Sequence, residues 1–184
     1  MKLFFSAATL VLLIILSANA SCQDMAEERV EVFSDFENLF RFQNFYLSGQ
    51  PTLEALKWLK SEGVTRIINL RTGEENESYA SEAYNEEANA KSMGYEYYSI
   101  PIGGSADYSP EKLKKISDKL SKDEKILIHC RSAGRVTNFF MAYLIQTRSY
   151  SVNEAVEVGK ELKYSFPLEQ ILDANIVMEL EDGQ

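Results

Sequence analysis

Apolar residues recur along this chain at two spacings, and short polar or glycine-bearing turns separate the runs. Leu39-Phe40-Arg41-Phe42 and Phe45-Tyr46-Leu47 flank Gln43-Asn44, which predicts two short strands joined by a tight turn. Ser48-Gly49-Gln50-Pro51 turns the chain. Thr52 then caps a predicted helix with Leu53, Leu56 and Leu59 on one face, stopped at Gly63. Val64 to Leu70 is β-rich and largely apolar, the pattern of a strand buried on both faces. A polar helix is predicted over 78–93, with Ala80, Ala83, Tyr84 and Ala88 as its inner stripe and Gly94 as its end.

Tyr95 to Ile100 reads as the next strand, followed by Pro101 and the pliable Gly103-Gly104. Ser109-Pro110 starts a helix, with Pro at its first position and Leu113, Ile116 and Leu120 at helical spacing. Lys125 to Ile128 is a strand that delivers His129-Cys130, and an apolar helix containing Phe139 to Ile145 follows. Ser151 and Glu154 form a capping box, and Pro167 opens a last helix carrying Leu168, Ile171 and Leu172. Strands alternating with helices imply right-handed crossovers. The expected fold class is α/β: three layers, a largely parallel sheet flanked by helices.

The 184 residues suffice for one domain. Residues 1–20 read as a signal peptide: Lys2 is a short positive n-region, Leu3 to Ala18 is uncharged and mostly apolar, and Ala18-Asn19-Ala20 is a small-x-small cleavage site. The apolar run is short for a membrane span, which takes roughly 20 residues. A lipoprotein signal with lipid on Cys22 is the second reading. Residues 21–35 form a leader and 36–184 the folded domain, and the expected location is periplasmic or extracellular.

Composition narrows the chemistry. Apolar content of 45% and charged content of 26% fit a soluble globular protein. The formal net charge of -9 becomes -10 once Lys2 is removed, a field that repels phosphate backbones and argues against nucleic acid as partner. One histidine excludes His-rich metal sites, Ser-His-Asp triads and separate Cys-His pairs, so neither metal nor cofactor is expected. Two cysteines are too few for a disulfide scaffold.

Cys130 stands where ligands bind in such sheets, between the carboxyl end of an apolar strand and a helix N-terminus. Arg131, Ser132, Ala133 and Gly134 offer successive backbone N–H groups around a concavity, and Arg135 closes it with a bidentate donor. Such a field lowers a cysteine pKa from about 8.5 into the range of roughly 3.5–7.5 and draws a tetrahedral anion onto the thiolate. That is the apparatus for covalent displacement through a phosphocysteine. The blander alternative is a small buried Cys before a helix. His129 is expected to brace the loop, and Ser132 to bond the sulfur or hold the loop's shape.

Ser48-Gly49-Gln50-Pro51, Ile67-Ile68-Asn69-Leu70-Arg71 and His129 to Val136, in this order, resemble the bacterial beta-lactamase hydrolase-like protein phosphatase-like family, within the protein tyrosine and dual-specificity phosphatase superfamily. The resemblance covers about residues 36 to 162. It implies a protein tyrosine phosphatase-like fold, Cys130 as nucleophile, Arg135 as phosphate clamp and a phosphorylated protein or small phosphoester as substrate. Two features depart from the general pattern. Four residues, not five, separate Cys130 from Arg135, a spacing associated with rhodanese-type sulfurtransferases. Ala133 stands where the family usually has glycine, and a positive φ there would strain it.

Asp107, on the loop after Gly103-Gly104, is the candidate general acid, with loop capping as the even alternative. Arg71 either holds substrate or pairs with Glu74 or Glu75. Gln50 either touches the loop or simply turns the chain, and Lys112 belongs to a solvated helix face. Three functions follow: an exported cysteine-dependent phosphatase, a sulfurtransferase working through a Cys130 persulfide, or a catalytically silent phosphate-binding module.

Overall fold

The computed structural model describes residues 29–81, 84–163 and 168–176. Six strands make one mixed sheet: β1 (Glu31–Val32), β2 (Leu39–Phe42), β3 (Phe45–Ser48), β4 (Val64–Asn69), β5 (Glu96–Ser99) and β6 (Lys125–His129). Their spatial order is β1-β2-β3-β6-β4-β5. The pairs β3–β6, β6–β4 and β4–β5 are parallel, and the two pairs made by β2 are antiparallel.

Parallel neighbours need crossovers, and helices provide them. Helix α1 (Leu53–Ser61) links β3 to β4; α2 (Gly73–Tyr79) and α3 (Glu86–Ser92) link β4 to β5; α4 (Pro110–Ser117) links β5 to β6. After β6 come α5 (Gly134–Arg148), α6 (Val152–Glu161) and α7 (Leu168–Leu172).

Strand side chains alternate between two cores. Phe45, Leu47, Ile68, Ile126 and Ile128 pack with Val136, Phe139 and Phe140 on one face, while Tyr46, Ile67 and Leu127 pack with Leu56, Leu59 and Ala90 on the other. This is why the inner strands read as continuous apolar runs: neither face meets water. The expected α/β fold, a sheet with helices on both faces, is what forms. In α5 every residue from Val136 to Leu144 is buried, so that helix is enclosed on all sides.

The helix starts follow their caps. Thr52 accepts from Ala55 N–H, Ser109 accepts from Lys112 N–H ahead of Pro110, and Ser151 with Glu154 completes a capping box. The segment 78–93 differs from expectation. In place of one helix there are α2 and α3, with Ala80 in extended backbone (ψ 144°) between them. Thr72 and Glu75 form a capping box that starts α2 early, and Asn85 caps α3 separately. Glu86 and Ala90 are the buried residues of α3, whereas Ala80 and Ala88 are exposed. The inward face is made by Glu86 and Ala90, a buried carboxylate with a buried alanine, and not by the stripe of Ala80 and Ala88.

Strand β1 pairs with β2 within the stretch read as leader, and Val30 packs against the core. The signal-peptide residues, Cys22, Ala83 and Pro167 lie outside the described residues. Among the described residues no helix is long and apolar enough to cross a membrane.

Leu127 on β6 is fully buried in the α1–α3 core. Leu127→Ala should destabilise the fold by about 2–5 kcal/mol, read as a lowered urea midpoint. A loss below about 1 kcal/mol would contradict this packing.

Candidate active site

β6 ends at His129 and the chain bends over Cys130 into α5. Neighbouring backbone fastens this bend on two sides. Cys130 N–H donates to Ser48 O (3.2 Å), Gln50 N–H to Arg131 O (3.2 Å) and Leu70 N–H to His129 O (2.9 Å). Gly49 bridges Ser132, and a Cβ on Gly49 would stand 3.2 Å from Arg131 O. The Ser48–Pro51 turn is thus the side wall of the loop, and its glycine answers to close backbone approach.

Ala133 has φ +70°, a left-handed conformation that costs an L-residue roughly 1–2 kcal/mol. It is held there by burial of its methyl and by its carbonyl, which accepts from Thr137 N–H (2.9 Å) and Oγ1–H (3.1 Å).

Cys130 is a free, buried thiol. The Arg135 guanidinium is close enough for the cysteine's charge to raise its pKa, and a set of oxygen acceptors holds that guanidinium in place. Arg135 Nη1 donates to Glu75 Oε2 (2.8 Å), Ile102 O (2.6 Å) and Leu70 O (3.3 Å), while Nη2 donates to Glu75 Oε1 (2.7 Å). This bidentate grip holds the Glu75 carboxyl down at about 2; donation from Thr72 N–H and the nearby charge of Arg71 lower it further, against the opposing effect of burial.

His129 projects to the opposite face from Cys130, since side chains alternate along β6. Its Nε2 lies 2.6 Å from Glu86 Oε1, off the line of an ideal hydrogen bond. Glu86 also accepts from Tyr97 OH (2.9 Å) and from Gln50 Nε2. Burial pushes the Glu86 carboxyl up, but His129, Gln50 and Tyr97 together hold it below the ordinary carboxylate range.

Arg71 is 4% exposed and makes no ion pair with a carboxylate among the described residues. Its Nη1 donates to Gln50 Oε1 and its Nη2 to the Glu75 carbonyl, so the Glu75 carboxylate belongs to Arg135 instead. Gln50 therefore meets the loop through its backbone and both Arg71 and Glu86 through its amide.

Asp107 follows in a short 3-10 turn, Ser105–Asp107, partly exposed. Its Oδ2 accepts from Gly103 N–H (2.8 Å), and Lys112 Nζ lies 3.3 Å from Oδ1. The Gly103 N–H holds its carboxyl below the usual range, and Lys112 adds to that. Next to it, Tyr108 stacks on Phe139 and feels the charges of Arg135 and Cys130.

Arg131 and Ser132 are exposed on the loop. Arg131, Arg71, Gln50 and Tyr79 line a cavity of about 630 Å³ beside it. Among the described residues no cluster of three His, Cys, Asp or Glu could hold a metal ion. Sequence reasoning missed Glu86 and Tyr108, and the alternative that pairs Arg71 with Glu74 or Glu75 gives way to a Glu75–Arg135 pair. The Thr72-x-x-Glu75 spacing was the one readable signal, and it spoke only of a helix cap.

A buried cysteine at a strand end, followed through a short loop by an arginine held on a carboxylate, invites comparison with known phosphatases. The family model "DSP-PTPase phosphatase fused to NAD+ Kinase" matches residues 25–179. The chain belongs to this family. It therefore carries a phosphatase domain of the protein tyrosine and dual-specificity type. A search of curated proteins finds no match.

Solved structures agree on the fold of this DSP-PTPase domain. PTPMT1 in complex with PI(5)P aligns with a TM-score of 0.57 and 19% identity, over 70% of this chain and 88% of that one. Kinase-associated phosphatase, with its catalytic-site cysteine replaced by serine, gives 0.56 and 19% over 72% and 89%. P. aeruginosa TpbA in complex with pTyr gives 0.53 and 16% over 72% and 78%.

Because Glu75 has a lower pKa folded than unfolded, its contribution to stability is full above about pH 4.5 and is lost as pH falls toward 2. Glu75→Gln should flatten that acid limb of stability in fluorescence-monitored titrations. An unchanged acid limb would mean the pair contributes nothing.

Proposed function

We propose that this DSP-PTPase domain hydrolyses phosphomonoesters with Cys130 as nucleophile. The observation that carries this reading is the buried Cys130 at the start of the loop that Arg135 ends, with the Arg135 guanidinium held by two hydrogen bonds to Glu75. Cys130 Sγ attacks phosphorus, the bond to the leaving oxygen breaks, and that oxygen takes a proton. Water then attacks the phosphocysteine, the S–P bond breaks, and inorganic phosphate leaves with the thiolate restored. Loop amides from Arg131, Ser132, Ala133 and Gly134 stabilise the charge on the transferring oxygens.

Asp107 is the proton donor in this reading. To serve, it must leave Gly103 N–H and take up a proton, because the free site holds it ionised. His129 positions the loop from the opposite face through Glu86. The domain acts after export, a reading supported by Lys2, the apolar run Leu3 to Ala18 and the Ala18-Asn19-Ala20 site. The narrower likeness to the beta-lactamase hydrolase-like subfamily rests on three sequence motifs and stands beside the matched family.

The four-residue spacing from Cys130 to Arg135 favours sulfur transfer as a second reading. One comparison decides. The protein should hydrolyse p-nitrophenyl phosphate, lose this with Cys130→Ser by at least about a thousandfold, and transfer no sulfur from thiosulfate to cyanide. Transfer without hydrolysis would establish the second reading.

A leaving-group series tests the donor. Asp107→Asn should slow alkyl phosphates about 10²–10⁴-fold and p-nitrophenyl phosphate far less. Equal losses on both would remove Asp107 from the mechanism.

A further inference from the structure

The cavity beside the loop is not the cradle over Cys130. Its walls come from the segment around Phe36, the start of α1, helix α2 and the exposed side of Arg131. At about 630 Å³ it is within the range of small-molecule sites, and it opens next to the nucleophile because Arg131 and Ser48 border both.

Its charge pattern is specific. Arg71 lies in the floor, 4% exposed, with Nε lacking any partner and with only neutral acceptors, Gln50 and the Glu75 carbonyl, on its Nη atoms. Tyr79 covers its Cζ at 5.1 Å. The nearest carboxylate, Glu75, feels the charge of Arg71 but gives its oxygens to Arg135, so Arg71 has no ion pair of its own to offset the cost of burial. Arg131 contributes a second, exposed guanidinium to the same cavity. Asp35, Glu37, Glu54 and the Arg135-bound Glu75 stand on the lining as well, which disfavours long polyanions and leaves the two arginines as the place for a compact negative group.

We propose that the cavity is a second-anion subsite, so that the preferred substrates are small phosphomonoesters carrying a further phosphoryl or carboxyl group, which Arg71 and Arg131 hold while the scissile phosphate sits over Cys130. This rests on the phosphatase reading for the scissile group but concerns a separate set of side chains. It also accounts for Arg71 without an ion pair of its own: the ligand supplies the direct partner that Glu75 gives to Arg135.

Calorimetric binding to the Cys130→Ser protein tests the subsite without turnover. Fructose 1,6-bisphosphate and adenosine 3′,5′-bisphosphate are each compared with the matching monophosphate, fructose 6-phosphate or adenosine 5′-monophosphate. Each bisphosphate should bind at least about tenfold more tightly, and Arg131→Gln should bring the ratio close to one. Arg71→Gln should do the same where it folds; the exposed Arg131 keeps the test decisive where it does not. Equal affinities, no binding of either ligand, or a preference that survives Arg131→Gln would overturn the subsite. So would a phosphotyrosyl peptide that binds as tightly as the bisphosphates and depends equally on Arg131. Preferential binding in a protein whose unsubstituted form hydrolyses no phosphate ester would instead overturn the phosphatase reading and leave the subsite standing.

Discussion

The two hydrogen bonds between Glu75 and Arg135 join α2, on the crossover from β4 to β5, to the first turn of α5, which follows β6. An arginine side chain has several rotatable bonds, and ordering it costs up to about 2 kcal/mol of rotamer entropy. A planar carboxylate that matches the guanidinium fork spends that cost in the folded state, before any ligand arrives. Leu70 O and Ile102 O, at the ends of adjacent connections, take up further donor capacity on Nη1. The guanidinium is thereby fixed at the end of the loop that begins at Cys130.

A second polar layer supports the loop from the other face of the sheet. His129, Glu86, Tyr97 and Gln50 form a buried group around one carboxylate, and Gln50 passes the contact to Arg71. Each of these residues comes from a different element: β6, α3, β5, the turn after β3 and the end of β4. The group therefore ties the turn Ser48–Pro51 and the end of β4 to the same strand that ends in the nucleophile. Removing one partner would leave a buried charge or donor unsatisfied, which is far costlier than the pair is stabilising.

The two layers divide the work. Glu75 fixes an arginine by charge pairing, and both oxygens of its carboxylate are turned to Arg135 and not to Arg71. Arg71 is consequently held by amide and carbonyl oxygens alone, and its charge faces the cavity beside the loop. Position 133 adds a local constraint. Its left-handed backbone suits glycine better, yet the alanine methyl fills a fully buried place in the core.

Periodicity along the chain was enough to determine the α/β architecture, since a strand buried on both faces has to be apolar throughout and a capped helix announces its start. The segment His129 to Arg135 was legible for the same reason: an apolar strand, small loop residues and an arginine at fixed spacing are all local. Which carboxylate meets which arginine was not local. Glu75 read as one possible partner of Arg71 and Glu86 fell within a polar helix, and only packing of α2 and α3 against the sheet made one the partner of Arg135 and the other a buried counter-charge. Pairing across a fold depends on distances between elements far apart in the chain, and sequence spacing does not carry those distances.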